Sequence, residues 1–236
     1  LNISAAAPTA KTHASRLVEL IRRDIMAGVL PPGTRLRIKA LGERYDAGLI
    51  PLREALSRLS AVGLILAQEQ RGFLVASVSR AELLDLLALR QNLEGLALRE
   101  SIARGTLEWE AQLIAAHHRL MRQAGAGPVM GRGNTADEQE WDRAHHAFHH
   151  ALLAACESPW LMRFVGVLFD QMNRYRHLSF HAANAAGRDV PGEHQALLDA
   201  ALARDADTAC RLMETHLAET AKLALKAMEG DTAASG

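Results

Sequence analysis

The 236-residue chain is 49% apolar and 23% charged, with 17 Gly and 7 Pro, a globular composition that excludes a disordered or collagen-like polypeptide. No run approaches the ~20 uninterrupted apolar residues of a membrane span. Two cysteines make no disulfide framework, and the opening LNISAAAPTAKTHAS lacks the apolar stretch of a signal peptide, so a reduced, cytoplasmic setting is expected. Formal neutrality hides an asymmetry: residues 1–77 hold 11 Lys/Arg against 6 Asp/Glu, whereas residues 78–236 hold 16 against 21 and ten of the eleven histidines. A small basic part joined to a larger acidic, His-rich part points to two tasks, one of them phosphate contact.

In THASRLVELIRRDIMA (12–27), Leu17, Leu20, Ile21, Ile25 and Met26 share a helical stripe that Gly28 ends. Pro31 and Pro32 forbid continuation. A short helix is predicted at 38–45 and, after the Ala47-Gly48 break, a third from Ile50 to Val62, stopped by Gly63. LILAQEQRGFLVAS (64–77) holds two short β-type runs around the polar turn Gln68-Glu69-Gln70-Arg71-Gly72, a hairpin signal. Beyond Ser79 the pattern is helical only, with six helices predicted at 79–103, 108–124, 135–156, 158–182, 190–203 and 205–228 and a frayed tail, DTAASG. The fold class is therefore mainly α. An N-terminal winged helix-turn-helix (12–77) precedes an all-α six-helix antiparallel bundle (78–229).

A winged helix-turn-helix places its third helix N-terminus first in the major groove and its wing on phosphate or the minor groove. Arg53 lies in the first turn of that helix, Lys39 opens the second helix, and Arg71 occupies the wing tip. The alternative is a helix-hairpin module that binds protein instead of DNA.

The stretches LPPGTRLRIKALGERY, PLREALSRL, VGLI and QRGFLVA resemble the winged-helix domain of the GntR family of bacterial transcription regulators. The resemblance makes Pro51-Leu52-Arg53-Glu54-Ala55-Leu56 the start of the recognition helix. It implies DNA contact by Arg53, Lys39 and Arg71. Where the family usually has Ser-Arg-Thr, this chain has Gly48, Leu49 and Ile50. Leu49 and Ile50 make no hydrogen bonds to base edges, so direct readout thins, replaced by contact with thymine methyls or by reading DNA shape.

In the second part, His145 and His149 are four apart and face one side of a helix, with Asp142 a turn earlier; His194 opens the fifth helix and His216 lies midway along the sixth. Close packing of these helices brings all four histidines around one metal, imidazole suiting Zn, Ni, Cu or Fe. A solvated His pair is the bland alternative. LLDLLALRQNLEGLALRESIARG (83–105), FHHALLAA (148–155) and HQALLDAALARDADTACRLMETHL (194–217) are similar to the FCD ligand-binding domain attached to many GntR regulators, and six helices resemble its VanR-type branch. ARGTLEWEA, REALSRL and LFDQMNRYR further resemble a carbon-starvation repressor of that family linked to glutarate.

The resemblance implies a divalent ion, Zn or Ni, held by His149, His194 and His216. The position where the family has Asp is His145 here, which leaves His145 or Asp142 as fourth ligand. It also implies that Arg90 reaches a small carboxylate effector; a salt bridge to Glu94, four residues on, is the alternative. Arg174 or Arg176 is the candidate for a second carboxylate. The function implied is a homodimeric, ligand-responsive repressor of a carboxylate operon, binding double-stranded operator DNA and no membrane. The competing reading is a metal-dependent enzyme built on the His cluster, although no HExxH or GxSxG motif occurs.

Overall fold

The computed structural model of the chain describes residues 12–68, 72–125, 136–183 and 187–234, with side chains for all of these but 124–125, 136–139, 176–183 and 230–234. The chain divides between Ser77 and Val78 into two compact units.

The first unit contains α1 (His13–Met26), β1 (Arg35–Leu36), α2 (Ile38–Tyr45), α3 (Leu49–Ala61), β2 (Ile65–Gln68) and β3 (Gly72–Val75). Thr12 caps α1, its hydroxyl accepting the Ser15 N–H at 3.2 Å. Leu17 and Ile21 of α1, Leu41 of α2, Leu52, Leu56 and Leu59 of α3, and Val75 of β3 form one buried cluster. Asp24 ties α1 to α2, accepting from Arg44 Nε at 3.1 Å and Tyr45 Oη at 2.8 Å. At Gly63 the backbone enters the left-handed region (φ +75°), closing α3 and turning the chain into β2.

The sheet order is β1-β3-β2, all antiparallel, with Gln68 opposite Gly72 and Arg35 opposite Leu74. Gly72 has φ +89°, the positive value that the hairpin end requires. β1 is a strand that hydropathy patterning misses. Two residues carry no periodicity, and only their pairing with β3 makes Arg35-Leu36 a strand.

The second unit is helical among the described residues: α4 (Arg80–Arg104), α5 (Leu107–Gly125), α6 (Ala136–Leu152), α7 (Pro159–Ala183), α8 (Val190–Leu202) and α9 (Ala206–Ala234). Its core joins Leu98, Leu113, Phe148, Leu152, Leu197 and Leu217 from five of the six helices. The α6 helix stops four residues before the predicted end, and the reason is tertiary. Trp109 Nε1 takes the Ala151 carbonyl at 2.8 Å, and Ser101 Oγ takes the Ala155 N–H at 3.0 Å. These are the two groups that would have bonded each other in a continued helix. At the other end of the unit, α9 remains helical to Ala234, through most of the tail expected to fray.

Candidate metal centre and nucleic-acid interface

Helix α6 supplies His145 and His149, α8 supplies His194 and α9 supplies His216. All four are buried, and one ligand atom from each lies within 4.8 Å of the others. Ring centroids are 4.5 Å apart for His145 and His149, and 4.9 Å for His194 and His216. Trp141, one turn before His145, stacks on its ring at 4.7 Å. Neither ring nitrogen of His149 has a hydrogen-bond partner, nor does Nε2 of His194. Buried polar atoms are rarely left so; each imidazole offers one nitrogen to the common point, and unpartnered nitrogens on two of the four rings are what an ion-binding shell looks like from the protein side.

Burial, reinforced by the neighbouring imidazoles, holds His149 and His194 well below the ordinary histidine range and lowers His216 as well, so these donors stay neutral. His216 is also braced. Glu193 Oε2 lies 2.7 Å from His216 Nδ1, and Arg188 donates to both Glu193 oxygens, at 2.7 and 2.5 Å. Burial pushes Glu193 up, but the hydrogen bonds from His216 and Arg188 outweigh it and hold the carboxyl at about 2. An ionised carboxylate only accepts, so His216 Nδ1 carries the proton and Nε2 keeps the lone pair. That arrangement orients an imidazole for a metal. Four converging neutral imidazoles fit a divalent transition ion. Asp142 is outside the converging group; His145 is inside it.

Beside the histidines lies a cavity of about 30 Å³ lined by Glu94, His146, His149, His150, Met162 and Phe169. Arg90 Nε donates to Glu94 Oε1 at 2.5 Å, both side chains being buried, and the guanidinium sits 5.1 Å over the Phe169 ring. The i,i+4 ion pair is therefore formed, while Glu94 Oε2 has no hydrogen-bond partner. Arg174 is buried against α4, donating to Glu82 Oε1 at 2.8 Å beside Tyr175, whose hydroxyl also bonds Glu82. The Arg176 side chain lies outside the described residues.

In the first unit, Leu52, Ala55, Leu56 and Leu59 bury one face of α3. The opposite face starts at Gly48, which caps the helix without a side-chain acceptor, and exposes Leu49, Ile50 and Arg53. Lys39 is exposed on α2, Arg58 is paired with Glu54 at 2.5 Å, and Arg71 lies outside the described residues.

Glu193, Arg188, Trp141 and Phe169 escape a reading of spacing. Glu193 and His216 are 23 positions apart on different helices, and nothing in either helix's periodicity links them. The i−4 spacing of Trp141 from His145 is the one signal that was available.

A three-helix unit with a β wing, joined to a helical unit with a buried four-histidine cluster, defines the class: a DNA-binding transcription regulator. The chain belongs to the GntR family, matching the bacterial regulatory proteins, gntR family, over residues 13–75 and the FCD domain over residues 85–219. It is 39% identical over 221 residues to the uncharacterized HTH-type transcriptional regulator BphR of Paraburkholderia xenovorans (strain LB400), covering 90% of this chain and 86% of that one. It is 37% identical over 217 residues to the HTH-type transcriptional repressor GlaR of Escherichia coli (strain K12), covering 89% and 95%. Among solved structures, E. coli McbR/YncC superposes with a TM-score of 0.77 at 21% identity, over 91% of this chain and 98% of that one, which shows the shared fold. These relatives are regulators of transcription, not enzymes. No helix among the described residues is long and apolar enough to cross a membrane.

Proposed function

We propose that the protein is a metal-dependent, homodimeric repressor, working in the cytoplasm, that a small dicarboxylate of the glutarate class releases from its operator. The observation that carries this reading is the convergence of four buried histidines, two of them (His149 and His194) with ring nitrogens that have no hydrogen-bond partner, beside the Arg90–Glu94 pair. His145, His149, His194 and His216 would hold the ion, which when bound supplies a fixed positive centre for a carboxylate. Arg90 is balanced by Glu94, Arg188 by Glu193, and the imidazoles are neutral, so the ion's two charges are what a dianion meets.

Arg90 uses only its Nε on Glu94, which leaves the terminal amino groups of its fork for a carboxylate. Arg174 or Arg176 takes the second carboxylate, Arg174 by exchanging Glu82 for it. The adjoining cavity has room for about one water. Entry of a dicarboxylate therefore displaces side chains, and this gives the ligand different affinities for two conformations, the requirement for releasing DNA.

A dimer would present two α3 helices to a palindromic site. Five large apolar side chains support one: Leu84, Leu89 and Leu96 of α4, and Trp160 and Phe164 of α7, all exposed on two helices that pack together. The reading is tested by elemental analysis of protein purified without chelator, with about one divalent ion per chain expected, lost in His149→Ala and His216→Ala but not in His150→Ala. Metal-free protein that takes up neither Zn nor Ni would overturn it.

A further inference from the structure

We propose that Leu49 and Ile50 read thymine methyl groups, so that the operator carries a thymine within one or two base pairs of the base that Arg53 contacts. The inference rests on the reading of α3 as the recognition helix, and it chooses between the two ways in which apolar residues at that tip could act.

Ile50 is 80% exposed and Leu49 54% exposed, although both are large and apolar. They cannot turn inward, because Leu52, Ala55, Leu56 and Leu59 already fill the buried face of α3. Gly48 caps the helix without a side-chain acceptor, so the first N–H groups of α3 stay available, and an uncapped helix N-terminus suits phosphate. Farther along the exposed face, Glu54 and Arg58 are engaged with each other at 2.5 Å, and Arg58 also donates to Ser15 at 3.1 Å. The tip facing a partner is therefore Leu49, Ile50 and Arg53, one cation flanked by two hydrocarbons.

On the floor of the major groove the apolar feature is the thymine 5-methyl group. Leu and Ile have no donor or acceptor, so neither can read a base edge by hydrogen bonding, and a methyl group is the chemistry left to them. Residues 49 and 53 are i,i+4 neighbours and residues 50 and 53 are i,i+3 neighbours, with Cβ atoms about 5–6 Å apart. Base pairs rise about 3.4 Å per step. That spacing places the methyl one or two steps from the base under Arg53.

The probe is a set of duplexes recovered by the full-length protein from a randomised 30-base-pair pool, in which each thymidine is then replaced singly by 2′-deoxyuridine. The replacement removes one methyl and leaves every hydrogen bond. At one thymine per half-site the affinity should fall about fourfold, the equivalent of the ~0.8 kcal/mol of one buried CH₂-sized group, and other positions should be silent. Ile50→Ser or Leu49→Ser, both at exposed positions, should bind the thymidine and deoxyuridine duplexes equally at that position. Tight, salt-dependent binding that is indifferent to every deoxyuridine overturns this inference and leaves the DNA-binding reading standing. Sensitivity that persists in both serine variants also overturns it, since another side chain then reads the methyl. Recovery of no duplex at all overturns both.

Discussion

Chelated protein should lose stability steeply as the pH falls from 7.5 to 5.5. His149, His194 and His216 are each held below the ordinary histidine value of 6.5, first by burial and then, for His149 and His194, by their fellow imidazoles. In the fold His149 and His194 stay neutral and His216 takes up a proton less readily than a free imidazole, whereas in the unfolded chain all three take up protons below about pH 6.5. The unfolded state therefore binds more protons, and stability falls as the pH drops through that value. One such histidine contributes about 1.4 kcal/mol across the two units of pH, so three contribute at most ~4 kcal/mol. For a unit of this size each kcal/mol moves the midpoint by about 2–4 °C, which caps the expected fall at roughly 8–15 °C. Glu193 does not contribute in this window. Its stabilisation is complete above its ordinary value of 4.5 and is lost only as the pH falls from there towards about 2. The assay is thermal unfolding by circular dichroism in chelator at half-unit pH steps, on the wild type and on His149→Leu, which should lose about a third of the dependence. A midpoint that is flat between pH 7.5 and 5.5, or a slope unchanged in His149→Leu, would refute the reasoning.

Three further outcomes are expected. Glu193→Ala should weaken Zn affinity by about 10–100-fold, because it removes the acceptor that orients His216; competition against a calibrated chelator measures it, and an unchanged affinity would remove Glu193 from the site. Arg53→Ala should weaken binding to the selected duplex by ~1–3 kcal/mol in a titration at fixed salt, and no change would take Arg53 off the reading face. Arg90→Ala should keep DNA affinity but lose the response to glutarate, since Arg90 belongs to the helical unit; a variant that still responds would return Arg90 to a purely structural pair with Glu94.

Much of this was legible because its signals are local. Gly28 and Gly63 each lie two residues past the observed ends of α1 and α3, and the Arg90–Glu94 pair follows from i,i+4 spacing alone. His145 and His149 could be placed on one face for the same reason. What stayed hidden depends on partners distant in sequence. The Trp109 and Ser101 side chains end α6, a β3 partner makes β1 a strand, and Glu82 takes Arg174 from 92 positions away. The Arg188–Glu193–His216 brace belongs with these. A reading of spacing finds the imidazoles but not the carboxylate that aims one of them.

The most direct measurement is fluorescence anisotropy of a labelled, selected duplex bound by Zn- or Ni-loaded protein, titrated with glutarate at fixed salt and pH. The expected result is release of the DNA by glutarate in metal-loaded wild type, with no release in the metal-free His149→Ala variant. DNA affinity indifferent to glutarate, succinate and their 2-hydroxy and 2-oxo relatives, in protein that holds its metal, would contradict the assignment of a dicarboxylate to this site.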